Sequence, residues 1–204
     1  MKINTNTWNR IRYTFYTPGY DLVARLLHNS RKKSIESLEI KAGDKVLIIG
    51  AGTGLDLEFL PNHCKIIATD LTPSMVNRII KRNKKLNLQV QAMVMDGQAL
   101  QFEDSSFDKI ILHLILAVIP NPIACIKEAE RVLKPGGEIA VFDKFLHRNT
   151  KVSFIRRCAN VFANFLFSDI TRDFESIVKQ TKLAVVTDSD ADFNGNFRLI
   201  KLKK

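Results

Sequence analysis

The sequence predicts an α/β domain on a doubly wound, mostly parallel sheet, and three observations predict it. Short aliphatic runs alternate with amphipathic helical stretches from residue 45 onward, the first run ends in a glycine-rich turn, and the chain closes on two strand-like segments. Strands that alternate with helices become parallel neighbours, with the helices covering both faces of the sheet.

Each element has its own signal. KVLIIG (45–50) is aliphatic at every position after the lysine and ends at glycine, the pattern of a strand buried on both faces. LDLEFL follows as a short helix that Pro61 stops. KIIAT (65–69) is the second strand, and beyond Asp70 the stretch TPSMVNRIIKRNKK opens with Thr72 as N-cap and Pro73 at the first helical position. LQVQAMVM (88–95) alternates, placing Leu88, Val90, Ala92 and Val94 on one face. DKIILHLIL (108–116) is the fourth strand. Asn121 and Pro122 start a helix through IACIKEAERVLK, which Gly136 and Gly137 end before the strand EIAVFDKF. KLAVVTDSDADF and NFRLIKLKK pair as an antiparallel hairpin at a sheet edge, turning at Gly195, which brings the strand total to seven.

A single domain accounts for the 204 residues. Residues 1–42 read as a helical lid on either side of Pro18 and Gly19, with Trp8, Ile11 and Phe15 on one helix face. Residues 43–145 form the core, 146–182 a helical cap whose apolar stretch 151–168 carries Arg156 and Arg157, and 183–204 the hairpin. The formal charge of +10 is unevenly spread. Lys and Arg outnumber Asp and Glu by 8 to 3 in residues 1–42 and by 11 to 6 in residues 145–204, and balance them at 12 to 12 between. A basic excess on the flanks of a neutral core suits an anionic partner such as a lipid surface, a phosphorylated substrate or nucleic acid, or else a generally basic solvated exterior.

Several classes are excluded or disfavoured. The longest apolar run, IILHLILAVI (110–119), is too short to span a bilayer, and MKINTNTWNR lacks the features of a secretory signal, so the expected compartment is the cytoplasm. Cys64, Cys125 and Cys158 are scattered and odd in number, which fits reduced thiols and neither a disulfide framework nor a zinc site. His28, His63 and His147 show no ligand spacing, so no metal is expected.

VLIIGAGTGLDL (46–57) joins a buried strand to a helix through Gly50, Gly52 and Gly54, a turn that lets a ligand reach backbone amides. A dinucleotide fingerprint needs glycine where Leu55 stands, which disfavours a nicotinamide oxidoreductase, and no Gly-Lys-Ser/Thr follows for a P-loop. Asp70, at the end of the second strand, can accept both hydroxyls of a ribose, or cap the following helix. Asp96 and Gly97 can accept an adenine amino group and admit its ring, or form an ordinary turn. Three such features at the ends of successive strands converge on one crevice.

These residues resemble the class I S-adenosylmethionine-dependent methyltransferases. VLIIGAGTG is similar to the glycine motif of that family, ATDLTPSMV to its ribose-binding strand end, VMDGQALQFEDSSFDKI to its adenine segment and RVLKPGGEIAVFD to the approach to its fifth strand. The resemblance implies S-adenosylmethionine as cofactor and a Rossmann-like fold. It implies that Gly50, Ala51, Gly52, Thr53 and Gly54 line the methionine part, that Asp70 holds the ribose, that Leu71 and Met75 flank the adenine, and that Asp96 and Gly97 meet its edge. Family members usually carry an acid two residues before the first glycine; Ile48 stands there, which implies one polar contact fewer at the methionine end.

GTGLDLEFLP, VIPNP and the front end YTPGYDLVARLL look similar to bacterial phosphatidylethanolamine N-methyltransferases, with the quinone C-methyltransferases close behind. The expected acceptor is thus a small molecule or lipid headgroup, with a quinone precursor, or a cofactor-binding protein without catalysis, as alternatives. Ile119-Pro120-Asn121-Pro122 differs from the Asn-Pro-Pro-Tyr of enzymes that methylate bases, so nucleic acid is disfavoured. In this fold the lid and cap form the acceptor pocket, and their basic and aromatic content suits an anionic membrane surface at the inner face. Tyr13, Tyr16 and Tyr20 all lie in the lid, where an aromatic face stabilises a cation and a phenol orients an amine, or where they simply pack. Tyr16 and Tyr20 are the catalytic candidates, with His113 as a base or a satisfied buried histidine.

Overall fold

A computed structural model describes residues 5–16, 27–146, 172–191 and 197–204. Tyr20, the side chains of Phe15 and Tyr16, the cap stretch 151–168 and the turn at Gly195 lie outside the described residues.

The chain order is α1 (Asn6–Tyr16), α2 (His28–Glu36), β1 (Lys45–Ile49), a 3-10 helix (Leu55–Phe59), β2 (Lys65–Asp70), α3 (Pro73–Leu86), β3 (Val90–Val94), β4 (Phe107–His113), α4 (Pro122–Val132), β5 (Leu133–Lys144), α5 (Phe174–Val178), β6 (Ala184–Asp190) and β7 (Phe197–Lys203). The seven strands form one sheet in the order β3-β2-β1-β4-β5-β7-β6. Five neighbours are parallel, with Val46 beside Ile66 on one flank of β1 and beside Lys109 on the other. β7 runs antiparallel between β5 and β6, so the C-terminal hairpin enters the sheet at the expected edge.

The continuous aliphatic run of β1 reflects burial on both faces. Leu47 and Ile49 point into a core that includes Ile110, Ile126 and Phe174, while Val46 and Ile48 point into one that includes Ile35, Leu57 and Ile79. Each such fully buried aliphatic side chain contributes about 1.5–3 kcal/mol relative to exposure. Strand order reverses between β1 and β4, which opens a crevice at their carboxyl ends. On the far edge, the buried Arg198 of β7 pairs with Glu175 of α5 and Asp188 of β6 and lies against the rings of Phe145 and Phe174.

Two expectations need correction, and the seating of α1 is a further finding. Gly136 and Gly137 do not end a helix: α4 stops at Val132, and the glycines sit inside β5 as a bulge, where the pairing shifts from Phe107 with Leu133 to Lys109 with Glu138. A bulge and a helix end both select glycine, and β7 decides between them, since Gly136 donates to the Lys204 carbonyl at 2.9 Å and Lys204 returns a bond to Gly137 at 3.1 Å. β4 stops at His113 rather than Leu116, because Leu114 turns into the left-handed region at φ +58°. Finally, α1 lies with its polar face inward. Asn9 and Arg12 are 6% and 3% exposed, whereas Trp8 is half-buried and Ile11 is 47% exposed. The reason is the surface beneath it, a rim of strand-end polar groups that Asn6 and Asn9 satisfy. Among the described residues no helix is long and apolar enough to cross a membrane.

Candidate active site

β1 ends at Ile49, and the next turn requires left-handed backbone at Gly50 (φ +70°), Gly52 (φ +57°) and Gly54 (φ +82°). A side chain at Gly50 would also meet Ile115 at 2.6 Å. The turn is pinned from β2: Ala51 donates to the Thr69 carbonyl at 2.8 Å, and Gly52 donates to Asp70 Oδ2 at 2.9 Å.

Asp70 closes β2 and accepts from the Thr72 amide through Oδ1 at 2.8 Å. Burial pushes its carboxyl up, against the amides of Thr72 and Gly52 and the Thr72 hydroxyl, which favour the ionised form. A carboxylate has about four lone-pair sites, so these partners leave it acceptor capacity. Thr72 is the N-cap position of α3 but caps with no side-chain bond; the backbone is held by Asp70 instead.

Asp96, just beyond β3, is differently occupied. Oδ1 accepts from the Gln98 amide at 3.0 Å and from Gln98 Nε2 at 2.9 Å, while Oδ2 accepts from Asn6 Nδ2 at 2.6 Å and from Gln98 Nε2 at 3.2 Å. Gly97 is required by close approach, since a Cβ there would lie 2.6 Å from Ile49 Cγ2 and 3.6 Å from the buried Cys125 Sγ. Burial pushes the Cys125 thiol well up, helped by the negative charges of Asp96, Glu128 and Asp143.

These groups line a narrow cleft of about 70 Å³, open to solvent and walled on its outer side by α1. Gly50, Gly52, Asp70, Leu71, Met75, Asp96, Gly97 and His113 all line it. Ala51, Thr53 and Gly54 lie behind the turn: Ala51 packs in the core, the Thr53 carbonyl accepts from Arg82 at 3.1 Å, and Gly54 opens the 3-10 helix. Asn6, Asn9 and Tyr13 of α1 form the outer wall. Tyr13 is thus the lid tyrosine seen at the cleft, with the Arg12 guanidinium 5.0 Å from its ring centroid.

Beneath the glycine turn lies a buried charge cluster. Asp56 Oδ1 accepts from Arg31 Nη1 at 2.7 Å and from His113 Nδ1 at 2.8 Å, and His113 Nε2 meets Ser34 Oγ at 2.9 Å. Burial alone would raise the Asp56 carboxyl, but the Arg31 and His113 charges and hydrogen bonds overcome it and hold the group well below the usual carboxylate range. Facing a carboxylate, Nδ1 is the donor, while Nε2 meets the Ser34 hydroxyl on the other side of the ring. Both nitrogens of His113 are therefore engaged internally. Asp143, at the end of β5, is equally buried and accepts only backbone amides, from Ala117 and Lys144 at 2.9 and 2.8 Å. Burial pushes its carboxyl up to about 6, partly opposed by those amides.

Sequence patterns gave no notice of Asn6, Gln98, Arg31 or Ser34. Asp56 had a faint signal, an acid in the first turn after the glycine loop. Among the described residues no group of His, Cys, Asp and Glu forms a metal site.

The methyltransferase domain family matches residues 47–141. Phosphatidylethanolamine N-methyltransferase of Cereibacter sphaeroides is 24% identical across the whole of both chains. Residues 47–141 mark the chain as an S-adenosylmethionine-dependent methyltransferase. Demethylmenaquinone methyltransferase of Lactobacillus johnsonii is 30% identical over 64% of this chain, a match that spans 58% of that protein's length. Among solved structures, a methyltransferase from Aquifex aeolicus superposes with a TM-score of 0.66 at 20% identity, covering 88% of this chain and 92% of that one, and so shares the fold. The cleft of this methyltransferase fits its cofactor in the chemistry of its groups: an acceptor on Asp70, a second carboxylate at Asp96, and a turn of left-handed glycines at Gly50 and Gly52 that brings backbone to the cleft wall.

Proposed function

We propose that this methyltransferase acts on the amine of a lipid headgroup of the phosphatidylethanolamine type, at an anionic membrane surface. The observation that carries this reading is the extent of similarity: the phosphatidylethanolamine enzyme matches through residues 1–42 and 146–204 as well as the core, whereas the demethylmenaquinone enzyme matches 64% of the chain. Those outer segments hold the basic excess.

S-adenosylmethionine supplies the electrophilic methyl group. Gly50 and Gly52 lie against its methionine part, Asp70 accepts its ribose hydroxyls, Leu71 and Met75 flank its adenine, and Asp96 with Gly97 meets the edge. Ala51, Thr53 and Gly54 shape the turn from behind. Tyr13 lines the acceptor side, where an aromatic face stabilises an ammonium and a phenol orients the amine as it loses its proton, and the same role is assigned to Tyr16 and Tyr20 from the sequence alone. His113 acts as a positioning residue, since its ring nitrogens hold Asp56 and Ser34. The chain's main task is orientation and exclusion of water, which lower the barrier to direct transfer.

Purified protein supplied with methyl-labelled cofactor is offered phosphatidylethanolamine vesicles, a demethylated quinone or small soluble amines. Label in the phospholipid is expected. Label confined to the quinone ring or to soluble amines overturns the assignment.

A further inference from the structure

We propose that α1 is a strap held shut by a surrogate of adenine: the Asn6 carboxamide occupies on Asp96 and Gln98 the positions of the base's amino group and neighbouring ring nitrogen. The inference rests on the proposed placement of adenine beside Asp96.

The hydrogen-bond inventory of Asp96 points there. Its two oxygens are met by three donor groups, the Gln98 amide, Gln98 Nε2 and Asn6 Nδ2, with Nε2 shared between both oxygens and Asn6 Oδ1. Asn6 also lines the cleft, so adenine entering beside Asp96 meets its carboxamide. Gln98 is anchored: its own amide donates to Asp96 across two residues, and its Oε1 accepts from the Asn121 amide at 2.8 Å, at the start of α4. Asn6 reaches Asp96 from the far end of the sequence, on a helix that also meets the cleft wall through the 3.2 Å bond from Asn9 Nδ2 to the Val118 carbonyl.

The chemistry of the two ligands matches. A carboxamide presents an N–H donor beside an oxygen acceptor, and the pairing edge of adenine presents an amino donor beside a ring-nitrogen acceptor. Asn6 Nδ2 donates to Asp96 while Asn6 Oδ1 accepts from Gln98 Nε2 at 3.1 Å. When adenine takes this place, its amino group donates to Asp96 and its ring nitrogen accepts from Gln98. This exchange also gives a reason for the polar inner face of α1: the strap must be polar where the base is polar. Asp96 and Gln98 together become specificity residues, because a base with a carbonyl in place of the amino group turns an acceptor toward Asp96 and a ring N–H toward Gln98 Nε2.

Calorimetry with S-adenosylhomocysteine tests the exchange. Removing a competitor that closes the site raises apparent affinity by the reciprocal of the fraction of time the site stands open. Asn6→Ala is expected to bind about tenfold more tightly, the effect of one charge-assisted hydrogen bond. Trp8, the chain's single tryptophan, lies on the strap two residues beyond Asn6, so its emission should shift as ligand saturates the wild type and start near that endpoint in Asn6→Ala. Unchanged or weaker binding by Asn6→Ala, or constant Trp8 emission through saturation, overturns the strap. Asp96→Asn made in the Asn6→Ala background, where the competitor is already gone, separates the two readings: if the double variant binds as tightly as Asn6→Ala alone, the placement of adenine fails before the strap is in question.

Discussion

Two carboxylates within the same fold, Asp56 under the glycine turn and Asp143 under the wall that follows β4, are equally buried and shifted in opposite directions. Asp56 faces a guanidinium and an imidazole; Asp143 faces backbone amides. Burial sets a similar opposition to charge at both, and the formal charge of the partners decides the outcome. Asp56 thus ties the lid helix α2 to the loop through an ion pair, whereas Asp143 holds the segment at Ala117 at a standing cost once it ionises.

Breaking the first arrangement has the largest expected effect. Asp56→Ala leaves Arg31 buried without its carboxylate, and denaturant unfolding should show a loss of about 3–5 kcal/mol. The stabilisation from Asp56 is fully present above the ordinary carboxylate pKa of 3.8 and is lost as pH falls below it. Asp143 behaves in the reverse sense. Burial pushes it up to about 6 in the folded chain, above the ordinary 3.8, so the folded state holds the extra proton and stability declines as pH rises between those values. The unfolding free energy of wild type relative to Asp143→Asn should fall by about 2–3 kcal/mol from pH 4 to pH 7, measured by parallel urea titrations. A pH-independent difference would mean that Asp143 is not the group titrating. The smallest effect tests the outer link of the cluster: Ser34→Ala removes one hydrogen bond to His113 and should cost about 1 kcal/mol, with cofactor affinity nearly unchanged.

The sheet was readable because its signals are local. Aliphatic runs such as VLII are buried on both faces wherever the partners come from, and Asn121-Pro122 starts a helix by itself, with Asn121 Oδ1 accepting from Ala124 at 3.1 Å. The glycine turn and Asp70 were readable for the same reason, since strand end and turn are contiguous. The polar cluster was not, because Asp56 finds Arg31 at a separation of 25 residues and His113 at 57. Nor was the seating of α1. Periodicity at Trp8, Ile11 and Phe15 marks an amphipathic helix, but which face turns inward depends on the rim it meets, and that rim is assembled from Asp96 and Val118.

Cys125, packed behind Gly97, gives this architecture a chemical clock. A thiol reacts as its thiolate, and a fully buried thiol whose ionisation is pushed well up is silent while the surrounding structure stays closed. Cys64, buried ahead of β2, is similarly pushed up by burial and occupies the opposite end of the sheet. With Cys158 replaced by serine, the rates at which a small alkylating reagent marks Cys125 and Cys64 report separately on opening at the ligand end and at the base of the sheet. A bound ligand should slow the first by more than the second.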